Sequence, residues 1–223
     1  MNTIWWIILG IIVLGLVSLG IILLLCLNVG HTTKKEKNMS LPGDYLLEKE
    51  RAFRDTNAIT INAAPSQIWP YIVQMCRTKA GFYSYQFFEN MVGCDIHNVY
   101  EIKPEWQHIK KGDWKFFHKG GVGVEVVDFK ENEYLIGYSD SRKPCKVKGS
   151  KPYNPFNEEM AYSWVFVLRE LSPGKTRMIL RCDVHFAPRS ILRWAFLAIT
   201  QGIPAVVMQQ KLKRTVKALV EDK

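Results

Sequence analysis

The sequence predicts an α+β fold in which a curved antiparallel β-sheet wraps around one long C-terminal helix, with one transmembrane helix at the N-terminus. Three observations predict it. Residues 4–27 carry no charge, short runs with β-strand character fill the middle of the chain, and apolar residues recur at helical spacing after Pro188. The order strand, two helices, several strands and a final helix is typical of an antiparallel sheet that helices cover on one face.

The N-terminal apolar run has the length of a membrane span. A helix over residues 4–27 would be about 36 Å long, and a hydrocarbon core is about 30 Å thick. Trp5 and Trp6 lie at its start, where indole rings favour the membrane interface. A cleaved signal peptide would carry basic residues before the run, and none is present. We therefore expect residues 1–30 to form an uncleaved, single-pass anchor.

Lysines directly after this run predict its orientation. They lie in a polar linker over residues 31–40, at Lys34, Lys35 and Lys37. Basic residues are retained on the cytoplasmic side of a membrane. The five cysteines are odd in number and lack paired spacing, which fits a reducing compartment. We expect one domain, residues 41–223, on the cytoplasmic side.

The first elements of this domain are a strand and two helices. Alternating isoleucines predict a strand over residues 58–63. A helix is predicted to begin at Pro65, and Pro70 inside it removes a backbone donor and predicts a kink. A second helix is predicted over residues 83–92, with Gly93 ending it.

Strand patterns follow, and the clearest hairpin joins residues 161–170 to 176–186. Shorter strands are predicted at residues 114–117, 122–129 and 134–139. One face of the hairpin is apolar, and the opposite face of its second strand carries Arg177, Arg181, Asp183 and His185. This alternation predicts a sheet with one dry face and one face in water.

The C-terminal segment is predicted to cover the dry face as a helix. Its apolar stripe consists of Ile191, Leu192, Ala195, Phe196, Ile199 and Ile203. We expect Gly202 and Pro204 to bend this helix. A second membrane span is not predicted here, because Arg193 lies within the segment and Pro204 interrupts it.

The net charge of +9 is localised. Residues 140–153 and 189–223 supply all of the excess. Such basic surfaces bind nucleic acid or anionic lipid, and for a chain already tethered to a membrane the lipid headgroup is the simpler partner. We predict no nucleic-acid partner and expect residues 142–151 and 211–217 to meet anionic headgroups. Plain solvated lysines are the alternative.

Two stretches carry a resemblance to a known family. They are "LPGDYLLEKERAFRDTNAITINAAPSQIWPYIVQM" at residues 41–75 and "GFYSYQFFENMVGCDIHN" at residues 81–98. The chain resembles the SRPBCC superfamily of START/Bet v 1-like helix-grip domains, in its polyketide cyclase-like subfamily. This resemblance implies a helix-grip fold with a deep hydrophobic cavity that holds lipids, sterols, polyketides or other apolar molecules. A minority of such proteins are enzymes.

Aromatic side chains with a polar atom suit the wall of a ligand cavity. The candidate ligand-binding residues are Trp69, Tyr83, Tyr85, Phe88, Asn90, Trp106, Trp114 and Trp164. Simple core packing is the alternative for each aromatic residue.

Glu89 and His97 are the candidate catalytic residues. A carboxyl group in an apolar pocket has a raised pKa and can act with a histidine as a general acid and base. The alternative is that Glu89 caps or pairs locally and that His97 and Asn98 bond loop backbone.

The sequence lacks a complete set of residues for zinc binding, for a thiol nucleophile or for nucleotide binding. Cys94 and His97 have the spacing of two zinc ligands or of a thiol and its base, but no further ligands or nucleophile signature accompany them. No glycine-rich phosphate loop or nucleotide fingerprint occurs. We therefore predict no metal and no cofactor.

Together these observations predict a membrane-anchored protein that binds a hydrophobic small molecule or lipid between sheet and C-terminal helix and has no chemistry of its own. The alternative is a cyclase, dehydratase or isomerase that uses Glu89 and His97. A third hypothesis is an interaction module whose basic segments bind anionic membranes.

Overall fold

The structure is a computed structural model that describes residues 5–6, 8–10, 13–15, 18 and 32–222. The described residues before position 19 are helical and exposed. Most of the predicted anchor over residues 1–30 lies outside the described residues. The N-terminal transmembrane helix therefore stays a prediction.

One antiparallel sheet of six strands forms the centre of the domain. Its strand order is β1-β6-β5-β4-β3-β2. The strands are β1 Phe53–Ile61, β2 Trp114–Phe116, β3 Gly123–Lys130, β4 Tyr134–Asp140, β5 Glu159–Ser172 and β6 Lys175–Ala187. The strand register shifts between Val126 and Asp128 and between Glu170 and Ser172, and such irregularities bend a sheet. The predicted antiparallel sheet and its β5–β6 hairpin are confirmed.

The helices lie before, between and after the strands. They are α1 Lys34–Asn38, α2 Pro65–Gln74, α3 Gln86–Met91, α4 Ile191–Leu197 and α5 Ile203–Glu221. Short 3₁₀ turns form at Asp44–Leu46 and Pro104–Trp106. A π-helical segment, Ala198–Gly202, joins α4 to α5 at the predicted bend. Helix α3 is shorter than predicted because Tyr83, at φ +56°, is outside helical conformation.

The main core lies between the concave face of the sheet and helices α2 and α5. Leu212, Val216 and Val220 of α5 pack into it together with Ile61 and Leu180. Burying each such side chain stabilises the fold by about 1.5–3 kcal/mol. The predicted arrangement, a curved sheet around the C-terminal helix, is therefore confirmed for α5. The predicted apolar stripe of that helix is wrong, because Ile191, Leu192, Phe196 and Ile199 are exposed.

The opposite, convex face of the sheet is covered by residues 32–51. Leu41 packs there against Ile136, Val165 and Ile179. Helix α1, which lies inside the predicted polar linker, is closed by a Thr33/Glu36 capping box. The prediction that this sheet face lies in water is wrong, because the N-terminal segment brings both apolar side chains and counter-charges to it.

Arg177, Arg181, Asp183 and His185 of the predicted wet face are accordingly not on an open surface. Asp183 accepts from Arg54 at 2.6 and 2.5 Å. Arg177 donates to the carboxylate of Glu36 and holds the pKa of that carboxyl down at about 2. His185 Nδ1 lies 3.0 Å from the carbonyl oxygen of Glu50.

Among the described residues, one helical stretch, Ile191–Glu221, is long and apolar enough to cross a membrane by length and composition. A core helix passes the same test. Because Leu212, Val216 and Val220 pack in the main core, the second half of this stretch belongs to the domain.

Candidate functional site

The C-terminal helix crosses the concave face of the sheet as an arch. Leu197 contacts the sheet at Phe186, and Gln209 contacts it at Cys182. No described side chain between Leu197 and Gln209 is buried. The helix covers about 18 Å between these contacts, whereas the strand beneath covers about 13 Å. We call residues 198–208 the arch segment.

Four side chains on the concave face of the sheet beneath the arch segment keep partial exposure. They are Asp55, Tyr162, Cys182 and Val184. Strand β6, which carries two of them, is paired on both edges, with β1 and with β5. This residual exposure is on the helix side of the sheet, so the arch segment covers these side chains only in part, and we call the space between helix and sheet the gap.

A polar cluster lies at the α5 end of this gap. Asn57 Nδ2 donates to Asp55 Oδ2 at 2.5 Å and to Gln209 Oε1 at 3.1 Å. Lys213 Nζ donates to Asn57 Oδ1 at 3.3 Å, and Gln209 Nε2 lies 3.6 Å from Cys182 Sγ. The cluster thus combines one acid, one base and two amides in a region with apolar neighbours.

Burial governs the electrostatics of the cluster. It lowers the pKa of Lys213 to about 8. It also raises the pKa of Asp55, an effect that the positive charge of Lys213 opposes. The Cys182 thiol has a raised pKa for the same reason, so it is a poor nucleophile. The cluster is suited to hydrogen bonding rather than to covalent chemistry.

The remaining wall of the gap is largely apolar. Val184 packs beside Met160, Phe186 and Leu197. Tyr162 packs against the main core, and its hydroxyl donates to the carbonyl oxygen of Gly123 at 3.1 Å. An apolar wall with a few convergent polar groups is typical of small-molecule sites.

The residues of the polar cluster were missed at the level of sequence, although a signal was present. Asp55 and Asn57 alternate in step with Ile59 and Ile61, two residues apart each time. They are therefore polar residues on the apolar face of the strand. Gln209 and Lys213 similarly occupy the helical stripe of Leu212, Val216 and Val220.

Three of the predicted ligand-binding residues are packed in the core. Trp69 stacks on Phe129. Trp164 meets Phe82, Phe117 and Phe166 edge to face. The Tyr83 hydroxyl accepts a hydrogen bond from Gln74 at 2.7 Å, and burial raises its pKa. These positions match the core-packing alternative.

The other predicted ligand-binding residues lie nearer the surface. Tyr85 and Phe88 are exposed and contact each other. Trp106 and Trp114 are half-buried, and Trp114 Nε1 donates to Gly121 at 3.2 Å. Asn90 has a structural role. Its Oδ1 accepts a hydrogen bond from the N–H of Ile96 at 2.7 Å, and its Nδ2 donates to the carbonyl oxygen of Ile96 at 2.8 Å. Their contacts do not place them beneath the arch segment.

Glu89 and His97 occupy different environments. Glu89 is buried, its Oε2 has no hydrogen-bond partner among the described residues, and burial raises its pKa to about 7. The side chain of His97 is exposed and pairs with Asp95 at 3.4 Å. An acid–base pair acting on one buried substrate needs both groups in the same cavity. The structure does not assemble that pair.

Cys94 is similarly unsuited to act as a nucleophile. Burial and the charge of Glu89 raise the pKa of its thiol, which disfavours the reactive thiolate. Within residues 32–222 and the described positions before them, no group of three or more His, Cys, Asp or Glu side chains could hold a metal ion.

Two open hollows stand out on the surface. One, of about 660 Å³, lies beside α5 and is lined by Tyr100, Lys211, Arg214, Thr215, Ala218, Leu219 and Asp222. The other, of about 270 Å³, lies beside residues 38–54. Neither is lined by side chains beneath the arch segment, so neither is the deep enclosed cavity that the family resemblance implies.

Comparisons with known proteins leave the family open. No protein-family model matches the chain, and no curated protein matches it. A hypothetical protein of Helicobacter pylori aligns with a TM-score of 0.45 at 11% identity, over 87% of this chain and 97% of its own. An Aha1 dimer from Colwellia psychrerythraea aligns with a TM-score of 0.37 at 14% identity, over 77% of this chain and 98% of its own.

An HSP90 activator from Plasmodium falciparum gives a TM-score of 0.35 at 8% identity, over 67% of this chain and 89% of its own. At these scores and identities the similarities assign no family and no function to this chain.

Proposed function

We propose that the chain is a membrane-tethered protein that binds an apolar small molecule or lipid in the gap beneath the arch segment. The observation that carries this proposal is the arch itself. A helix that covers the centre of a sheet normally buries side chains along its whole inner face. Here no described side chain of residues 198–208 is fully buried, and the side chains of the sheet beneath keep partial exposure.

The composition of the gap indicates the class of ligand. Tyr162 and Val184 offer apolar contact, and the polar cluster offers donors and acceptors at one end. A ligand with an apolar body and one polar, hydrogen-bonding end would satisfy both parts. The polar end would meet Asn57, Gln209 and Lys213. The resemblance to helix-grip domains supports the same class of ligand.

Ligand entry requires the gap to widen, and the arch segment suits that movement. Segments with few buried contacts open at low free-energy cost. The π-helical turns of Ala198–Gly202 and the missing backbone donor of Pro204 further weaken the helical hydrogen bonding there. Residues 1–30 would hold the domain at the cytoplasmic face of the membrane throughout.

The test uses the full chain, purified in a mild detergent. Organic extraction and mass spectrometry would identify a co-purifying apolar molecule, and displacement of a fluorescent fatty acid would measure binding. We expect a stoichiometric ligand or saturable displacement. If neither is observed, the proposed binding function is wrong.

A further inference from the structure

The first part of the C-terminal helix exposes an unusually apolar surface. Ile191 is 85% exposed and Leu192 is 80% exposed. Trp194, Phe196 and Ile199 are exposed as well. We call these five residues the apolar face. Isolated exposed apolar residues are common, but a contiguous set marks an interaction surface.

A second exposed apolar group lies at the other end of the arch segment. It consists of Phe87, Phe88, Met91 and Val92 in and after α3. Ser84, just before this helix, donates to the carbonyl oxygen of Met208 at 3.3 Å, which places the group beside the start of the packed part of α5. Exposed apolar side chains thus flank the gap on both sides.

The position of the N-terminal run brings this part of the domain close to a membrane. Thr32 Oγ1 donates to the carbonyl oxygen of Thr56 on edge strand β1 at 2.9 Å. The apolar run ends at residue 27, and five residues span at most about 18 Å. Residues 50–52, just before β1, contact the apolar face region, since Arg189 donates to Glu50 at 2.7 Å and Ala52 packs near Leu197.

Positive charge lies beside the apolar face. Phe156 packs on Phe196 with ring centroids 5.2 Å apart, and Gln201 donates to Tyr153 at 2.9 Å. These contacts place residues 153–156 against the helix, directly after the basic loop of residues 142–151. Its exposed lysines are Lys143, Lys146, Lys148 and Lys151. An apolar surface beside exposed lysines complements the acyl boundary and the anionic headgroups of a bilayer.

The C-terminal helix does not have the features of a transmembrane helix. A span needs about 20 apolar residues, and from Gln209 onward the side chains of α5 contribute to the domain interior. Residues 191–208 would measure only about 27 Å as a helix, and Leu197 among them packs against the sheet, so this part is suited to lie on a bilayer rather than to cross it.

We infer that the apolar face inserts into the surface of the membrane to which the chain is tethered, so that the gap beneath the arch segment opens toward lipid. This inference rests on the membrane tether of the proposed function. It adds a second membrane contact and assigns the route by which an apolar ligand enters and leaves.

The experiment places the photoreactive residue p-benzoylphenylalanine at Leu192 or Ile199 of the full chain. Leu171 is the matched control, because it is 57% exposed and lies near the end of β5, next to the β5–β6 turn at the far end of the hairpin. The chain is reconstituted into vesicles of phosphatidylcholine with a minority of phosphatidylglycerol and then illuminated. We expect lipid adducts at Leu192 and Ile199 several-fold above those at Leu171.

Three results would overturn the inference: an adduct with residues 4–27 of the same chain, an adduct with a second copy, or no lipid adduct above the Leu171 control. Alkaline carbonate extraction of the same vesicles tests the tether separately. A chain released by carbonate refutes the tether, and the lipid adducts then still decide whether the apolar face binds the bilayer.

Discussion

Nη1 of Arg181 lies 2.7 Å from Oδ2 of Asp44, and this contact fastens the N-terminal segment to the sheet. The same guanidinium donates to the carbonyl oxygens of Glu36, Lys37 and Met39 at 2.7, 3.2 and 2.8 Å. One buried side chain on β6 therefore holds both α1 and the turn that follows it. The segment that leads to the predicted anchor is part of the domain.

Replacing Arg181 by alanine should release residues 32–51 from the sheet. The change leaves three carbonyl groups without the Arg181 donor and removes one of the two cations beside Asp44, which keeps Arg54 at 3.0 Å. Losing these buried contacts should cost about 3 kcal/mol. Limited trypsin digestion should then cleave after Lys34, Lys35 or Lys37 much faster than in the wild type. Urea unfolding would measure the lost free energy.

Arg169→Ala is the matched control for that variant. Arg169 is directly opposite Arg177 on the same sheet face but is exposed. It should change the unfolding free energy by less than about 0.5 kcal/mol. Equal protease resistance in the Arg181 variant and the wild type would contradict the role given to Arg181.

Glu89→Gln should stabilise the protein at alkaline pH. Burial raises the folded-state pKa of Glu89 to about 7 from 4.5, so the folded protein holds this proton more tightly than the unfolded chain. The wild type should therefore gain stability from this group as pH falls from about 7 to about 4.5. Above pH 7 the ionised group should cost up to about 3 kcal/mol.

Melting temperatures at pH 8 and pH 4.5 would check this. The Gln variant should melt above the wild type at pH 8 and close to it at pH 4.5. Glu105→Gln, at an exposed position, should match the wild type at both. A Gln variant that is less stable at pH 8 would show that the Glu89 carboxylate has a stabilising partner.

Asn98 should matter for stability, whereas its neighbour His97 should not. Asn98 Oδ1 accepts from the N–H groups of Phe82 and Tyr83 at 3.2 and 2.9 Å, and its Nδ2 donates to Ser84 at 3.0 Å. These bonds hold Tyr83 in its left-handed conformation. Asn98→Ala should cost about 3 kcal/mol, because buried backbone groups lose their partners.

His97→Ala serves as the control, since its side chain is exposed. Thermal unfolding of the two variants would compare them directly. A large loss of stability in the His97 variant, or none in the Asn98 variant, would contradict this division.

Local patterns predicted the strands and the C-terminal helix because alternation and helical spacing are properties of neighbouring residues. The β5–β6 hairpin is the clearest case. Trp164 lies opposite Cys182, and both belong to the apolar face that alternation predicts for their strands. The burial of Arg181 could not be predicted in this way. Its main counter-ion, Asp44, is 137 positions away in the sequence.

The candidate site was only partly predictable for a related reason. Trp69, Tyr83 and Trp164 were chosen as candidates because they are aromatic and carry a polar atom. Residue type alone does not distinguish a core residue from one that lines a pocket. Asp55 and Asn57 gave the better signal, since polar residues in the apolar phase of a strand require a special environment. The arch was not predictable, because it depends on where Leu197 and Gln209 meet the sheet.

Val184→Trp should block ligand binding by filling the gap. Val184 lies beneath the arch segment between the two helix contacts at Phe186 and Cys182. An indole ring there would occupy the space that a ligand needs, so displacement of a fluorescent fatty acid should weaken several-fold. Overpacking costs about 1–3 kcal/mol, and Val184→Phe offers a milder version if the first variant folds poorly.

Leu171→Trp adds the same ring at an exposed position near the end of β5 and should leave binding unchanged. It separates an effect of the gap from a general effect of added apolar surface. Circular dichroism should show that all three variants are folded. If the Val184 variants fold and bind as the wild type does, the ligand does not lie beneath the arch segment. Binding would then have to use another surface, such as the open hollow beside Lys211 and Leu219.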